Sequence, residues 1–119
     1  MEPIELIERT ELHDASLIEM ATEGDRVRLR FDDVWVDDDH CYRVTIDLGG
    51  IRKVMYDHKV VNTLRMKTED GGVIAFRRSG NIADLVVTWT SYAPRSDETH
   101  VYEFEFTSFE LRAEKQEDG

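Results

Sequence analysis

Histidines and carboxylates are the side chains of this sequence whose types could support catalysis or metal binding. None of the four histidines pairs with another ligand at the i, i+4 spacing of a helical metal motif, and a single cysteine, Cys41, excludes a thiolate zinc site. His13, Asp14 and Ser16 supply the residue types of a nucleophilic triad. On the extended segment predicted there, adjacent side chains point to opposite sides, so His13 and Asp14 are not expected to form a relay. We therefore predict no catalytic residue, metal ligand or cofactor.

The densest acidic cluster lies between residues 32 and 40 and has a tryptophan in its middle. Clustered carboxylates can bind calcium, but this segment lacks the glycine and the distal glutamate of an EF-hand loop. A solvated acidic turn is one interpretation, and a protein-contact surface is the other. The candidate partner-binding residues are Asp33, Trp35, Asp37, Asp38 and Asp39.

The chain carries a formal net charge of −11. A negative field repels phosphate backbones and anionic membrane surfaces, so neither nucleic acid nor membrane is an expected partner. The same field favours encounter with a basic protein. Residues 41–80 differ, with 8 basic and 4 acidic side chains. Their basic side chains either pair with acidic neighbours across strands or form a site for an anionic ligand: Arg43, Arg52, Lys53, Arg65, Lys67, Arg77 and Arg78.

Apolar and polar residues alternate along most of the chain, which is typical of half-buried strands in an antiparallel sheet. Residues 26–32, 42–48 and 102–106 show this pattern most clearly. The length of 119 residues fits one domain, spanning 1–119. We predict an all-β fold of seven to nine antiparallel strands, either a sandwich or a curved, partly closed barrel. Pro3 and the glutamates around it also allow one short N-terminal helix.

Glycine, proline and polar residues indicate where the strands end. Tight turns are predicted at Glu23–Asp25, Asp70–Gly72 and Ser79–Asn81, and an exposed loop at Ala93–Thr99. After Phe106 the apolar residues move from even to odd positions, which predicts a β-bulge or sharp bend near 107–108.

Large aromatic residues on these strands have two interpretations. They fill a packed core, or they surround a cavity on the concave face of a curved sheet. In the second case the lining would be Tyr42, Trp89, Tyr102, Phe104 and Phe106.

The segment from Glu11 to Ile18, followed by a hairpin and Val27–Phe31, resembles the opening of a loose set of uncharacterised bacterial β-rich domains. These begin with a Leu/Phe-His-Asp-Ser/Ala stretch, and some are grouped with immunity proteins of toxin systems. The resemblance implies a small intracellular domain without established catalytic residues. Immunity proteins often bind basic toxins, which agrees with the acidic charge.

The leading hypothesis is a non-enzymatic protein-binding domain, immunity-like, that uses its acidic surface. The alternatives are a carrier of a small apolar ligand and a metal-dependent hydrolase that uses His13, Asp14 and the acidic turn. A single cysteine suggests a reducing compartment, so the expected location is the cytoplasm. Exposed edge strands would also allow a homodimer.

Overall fold

The fold consists of one short helix and nine antiparallel strands within residues 2–116, the part of the chain that the computed structural model describes. This confirms the predicted all-β class with an N-terminal helix. The elements are α1 (Pro3–Arg9), β1 (Ser16–Glu23), β2 (Arg26–Trp35), β3 (Cys41–Gly49), β4 (Lys53–Tyr56), β5 (Lys59–Val60), β6 (Asp70–Ser79), β7 (Ile82–Tyr92), β8 (Arg95–Glu105) and β9 (Ser108–Lys115).

The strands form a single open sheet in the order β5-β4-β8-β7-β6-β1-β2-β3-β9. Its two halves, β1-β2-β3-β9 and β6-β7-β8-β4-β5, join where Ser16 and Leu17 pair with Gly72 and Gly71. The sheet is not closed, because β5 and β9 pair on one side only within the described residues.

The sheet curves strongly between β6 and β9. Phe76 on β6 and Phe109 on β9 have ring centroids 6.5 Å apart, although β1, β2 and β3 lie between them in the strand order. In a flat sheet, strands four steps apart would be separated by roughly 19 Å. The two halves therefore face each other and enclose the core, and α1 covers one open side with Ile7 fully buried.

The alternating pattern explains which side chains form this core. Val27, Leu29 and Phe31 on β2 are 0–1% exposed, while the arginines between them point outward. The fully buried aromatic residues come from both halves of the sheet, which is why the core is continuous. Among residues 2–116, no helix has the length and apolar character that a membrane crossing requires.

The predicted turns have mixed outcomes. Gly24 and Gly80 lie in tight turns with positive φ, as expected. The turn prediction at Asp70–Gly72 is wrong, because these residues begin β6 and Gly71 lies opposite Trp89. A Cβ atom at Gly71 would lie 2.7 Å from the Trp89 ring, so this glycine makes room for an aromatic side chain.

The connections β7–β8 and β8–β9 test two further predictions, a loop and a bend. The exposed loop predicted at Ala93–Thr99 is shorter than expected, since β8 begins at Arg95 and pairs with β7 from there. The bend predicted near 107–108 is confirmed: β8 ends at Glu105 and β9 begins at Ser108. Backbone N–H groups of Phe106 and Thr107 bond to Asn81 and Gly49, so this corner crosses from one half of the sheet to the other.

Candidate functional site

A β-bulge in β2 determines which side chains the β2–β3 hairpin presents to solvent. The β2–β3 register shifts between Phe31 and Val34, and Asp33 adopts a positive φ of 60°. Strict alternation from Phe31 would turn Asp33 and Trp35 toward the core. The inserted residue instead buries Val34 at 1% exposure and leaves Trp35 45% exposed.

Hydrogen bonds to Asp33 hold this bulge. Its backbone N–H donates to Gln116 Oε1 at 3.0 Å, and Gln116 Nε2 donates to Asp33 Oδ1 at 3.3 Å. The Ser16 hydroxyl reaches Asp33 Oδ2 at 3.5 Å. Aspartate tolerates the left-handed conformation better than most residues, so its identity suits this position.

The turn that follows is organised by one carboxylate. Asp37 Oδ1 accepts the backbone N–H groups of Asp39 and His40 at 2.8 Å, and the His40 ring Nδ1 lies 2.8 Å away. The bond from the His40 ring, followed by that from the Asp39 amide, lowers the pKa of Asp37. Asp38 and Asp39 are exposed, and their carboxylates make no ion pair within the described residues.

All five residues predicted to bind a partner therefore lie on one hairpin. Asp33 and Asp37 shape its backbone, whereas Trp35, Asp38 and Asp39 face solvent; we call these three the acidic tip. Asp32, which precedes them, is neutralised by Arg43 at 2.7 Å.

The five aromatic residues proposed to line a cavity have different positions. Trp89, Tyr102, Phe104 and Phe106 are 0–1% exposed in the continuous core, and Tyr42 is half-buried against it. The Trp89 indole N–H donates to the Tyr102 hydroxyl at 3.0 Å, so the hydroxyl oxygen is the acceptor that this buried donor requires. Burial raises the pKa of Tyr102 to about 12.

A second group of polar side chains is centred on His100, and of its members the sequence had singled out Lys67 alone, among the basic side chains of residues 41–80. His100 Nδ1 lies 2.5 Å from Asp57 Oδ2, and Asp57 Oδ1 accepts the backbone N–H of Val101 at 2.9 Å. The Val101 amide, with a further contribution from His100, lowers the pKa of Asp57. Asp57 is fixed by the β4–β5 turn, where Asp57 and His58 both have positive φ.

Lys67 extends this group. Its ammonium donates to the Tyr56 hydroxyl at 2.9 Å and to His100 Nε2 at 3.3 Å, and lies 3.6 Å from Glu98. The bond to Tyr56 raises the pKa of Lys67. The Tyr56 ring packs against His100 with centroids 4.9 Å apart. Asp57, Lys67 and His100 are far apart in the chain, so no spacing motif marks them; one available signal was the even-numbered alternation that puts His100 and Tyr102 on the same inward face.

A groove of about 360 Å³ lies beside this group, between β4 and the 61–67 segment. Its walls are mostly apolar and come from Tyr56, Val61, Leu64, Met66 and Tyr102, and Arg65 and Lys67 add positive charge.

The triad-like residues are arranged differently from expectation. The 11–14 segment is not extended, since Glu11, Leu12 and Asp14 have positive φ, and His13 Nε2 lies 3.5 Å from Asp14 Oδ2. The His13 ring also contacts the Ile74 carbonyl at 2.8 Å, and both His13 and Asp14 are exposed. Within residues 2–116, no three His, Cys, Asp or Glu side chains are grouped so that they could hold a metal ion.

No known protein family, curated protein or solved structure matches this chain.

Proposed function

We propose that this chain is a non-enzymatic protein-binding domain whose acidic tip receives a basic partner. The observation that carries the proposal is the bulge at Asp33, which turns Trp35 out of the core and into solvent between carboxylates. Tryptophan is among the residues that dominate protein interfaces, because it buries a large area with few rotatable bonds.

The rigidity of the hairpin supports the same function. Asp37 ties the turn to its own backbone and Gln116 ties the bulge to the end of β9, so little ordering remains to be done on binding. Asp38 and Asp39 then add negative charge that complements a basic surface and accelerates encounter.

The resemblance of the 11–18 and 27–31 segments to immunity-like domains suggests the kind of partner, a basic bacterial toxin. We also propose that the domain works in the cytoplasm, and what supports this is its use of one cysteine in 119 residues.

Affinity capture with matched variants tests this function. The test variant, Trp35→Ala/Asp38→Asn, removes an exposed large apolar side chain and one carboxylate from the acidic tip. The control variant, Ile82→Ala/Asp84→Asn, does the same on β7, where Ile82 is 53% exposed and Asp84 is exposed.

We expect a captured basic protein to be retained by the wild type and by the control, and to bind the test variant at least about 30-fold more weakly. Its association rate with the wild type should fall as salt is raised. A partner that binds the test variant as tightly as the wild type would exclude the acidic tip as the binding surface.

A further inference from the structure

The groove beside Lys67 combines features that the acidic tip lacks, and it shares no residue with it. Its volume of about 360 Å³ lies within the ~300–1,000 Å³ range of small-molecule sites. Such sites typically have apolar walls and a few convergent polar groups that orient the ligand. Here Tyr56, Leu64 and Met66 form apolar walls, and the polar groups beside them are the Lys67 ammonium and the Tyr56 hydroxyl.

The positive charge in the groove is held in place by hydrogen bonds. With Nδ1–H donating to Asp57, His100 Nε2 is left to accept a bond from the Lys67 ammonium. The Tyr56 hydroxyl accepts a second Lys67 bond. The hydrogen bonds that link Asp57 to His100 and His100 to Lys67 therefore fix the ammonium at one point of the groove, as a binding site requires.

Two N–H groups of the Lys67 ammonium are used by Tyr56 and His100, and the third faces a weak partner, Glu98. Glu98 is 3.6 Å from Lys67 Nζ, beyond the usual hydrogen-bond distance, and its side chain is 62% exposed. Arg65, which also lines the groove, has no ion-pair partner in residues 2–116. An incoming carboxylate can thus replace Glu98 at Lys67 and gain Arg65 as a second cation.

We infer that this groove binds a small apolar molecule carrying a single carboxylate, which ion-pairs with Lys67 and Arg65 while its apolar body packs against Tyr56, Leu64 and Met66. We specify a single charge because the net charge of −11 opposes an anion in proportion to the anion's charge.

Three probes of the same shape test the inference on the wild-type protein: naphthalene-2-carboxylate, its neutral carboxamide and the cationic naphthalen-2-ylmethylammonium. By calorimetric titration we expect saturable binding of the carboxylate, affinity for the carboxamide about tenfold lower, and still weaker binding of the ammonium. Equal affinity for all three, or no saturable binding of the carboxylate at millimolar concentration, would overturn the inference.

Variants locate the site. Lys67→Met should abolish the preference for carboxylate over carboxamide, and Glu98→Gln should strengthen carboxylate binding several-fold by removing the competing anion. Lys53→Met, which removes the same charge from β4 without altering the groove, should leave the preference unchanged. If Lys67→Met keeps the full preference for carboxylate, the groove is not the site. Because this test uses none of the acidic-tip residues, its outcome is independent of the proposed protein partner.

Discussion

The hydrogen bond between Trp89 and Tyr102 allows a quantitative prediction about the core. Both side chains are 1% exposed, and the indole N–H donates to the Tyr102 hydroxyl at 3.0 Å. Tyr102→Phe keeps the ring but leaves a buried N–H without its acceptor. An unsatisfied buried donor costs about 1–3 kcal/mol, so we expect the free energy of unfolding at pH 8 to fall by that amount.

The same hydroxyl predicts how stability changes at high pH. The pKa of Tyr102 is raised to about 12 in the fold, against about 10 when unfolded, so folding favours the protonated form. Its contribution is complete below pH 10 and is lost as the pH rises from 10 through 12. Each unit of difference is worth about 1.4 kcal/mol, which gives an upper bound of roughly 3 kcal/mol.

Urea unfolding followed by circular dichroism at pH 8 and at pH 11 measures both effects. The wild type should lose more stability between the two pH values than Tyr102→Phe, because the variant has no hydroxyl to ionise. Other tyrosines and lysines titrate in both proteins, so the difference between them isolates Tyr102. If wild type and Tyr102→Phe are equally stable at pH 8 and lose the same free energy of unfolding between pH 8 and pH 11, this description of the core is refuted.

Two other predictions concern the packing space at Gly71 and the stability of the protein at low pH. Gly71→Ala should lower the free energy of unfolding by about 1–3 kcal/mol, because its Cβ would meet the Trp89 ring at 2.7 Å, whereas Gly72→Ala, with its nearest atom 3.9 Å away, should be far better tolerated in the same urea assay. Asp57→Asn should destabilise the protein at pH 7, since the Val101 amide lowers the pKa of Asp57; this contribution is present above the unfolded pKa of about 3.9 and is lost as the pH falls through the lower folded value. Wild type and Asp57→Asn should therefore converge in stability on acidification, and a gap that stays constant down to pH 2 would contradict the assignment.

Local pattern was sufficient to predict the fold class. Alternation in β2, β3 and β8 identifies both the strands and their buried faces, because a half-buried strand leaves a period of two in the sequence. Pro3 and the acidic residues near it allowed one short N-terminal helix, and α1 begins at Pro3.

Long-range contacts explain what the local pattern could not predict. Gly71 looks like a turn residue in sequence, and only the position of Trp89 across the β6–β7 pair shows why a glycine lies in that strand. The position of the Lys67 ammonium in the groove depends on Asp57 and His100. These residues come together through the pairing of β4 with β8 and through the path of the 61–67 segment.

The acidic tip could be predicted in part from the sequence. The carboxylates around Trp35 suggested exposure, although strict alternation with Phe31 points the other way. The bulge at Asp33 resolves this conflict, and its stabilising partner, Gln116, is 83 residues away. Propensity within β2 alone does not reveal such a contact.

Fluorescence quenching tests most directly whether Trp35 lies exposed among carboxylates. The protein has two tryptophans, and Trp89 is buried. With each quenching constant divided by that of free N-acetyltryptophanamide, we predict that Cs⁺ quenches a fraction of the emission more efficiently than iodide does, because the negative charge of the tip concentrates cations around Trp35. Trp35→Phe should leave only emission that neither ion quenches. If the wild type is protected from both ions, or if Trp35→Phe is quenched as strongly as the wild type, Trp35 does not form the exposed centre of the acidic tip.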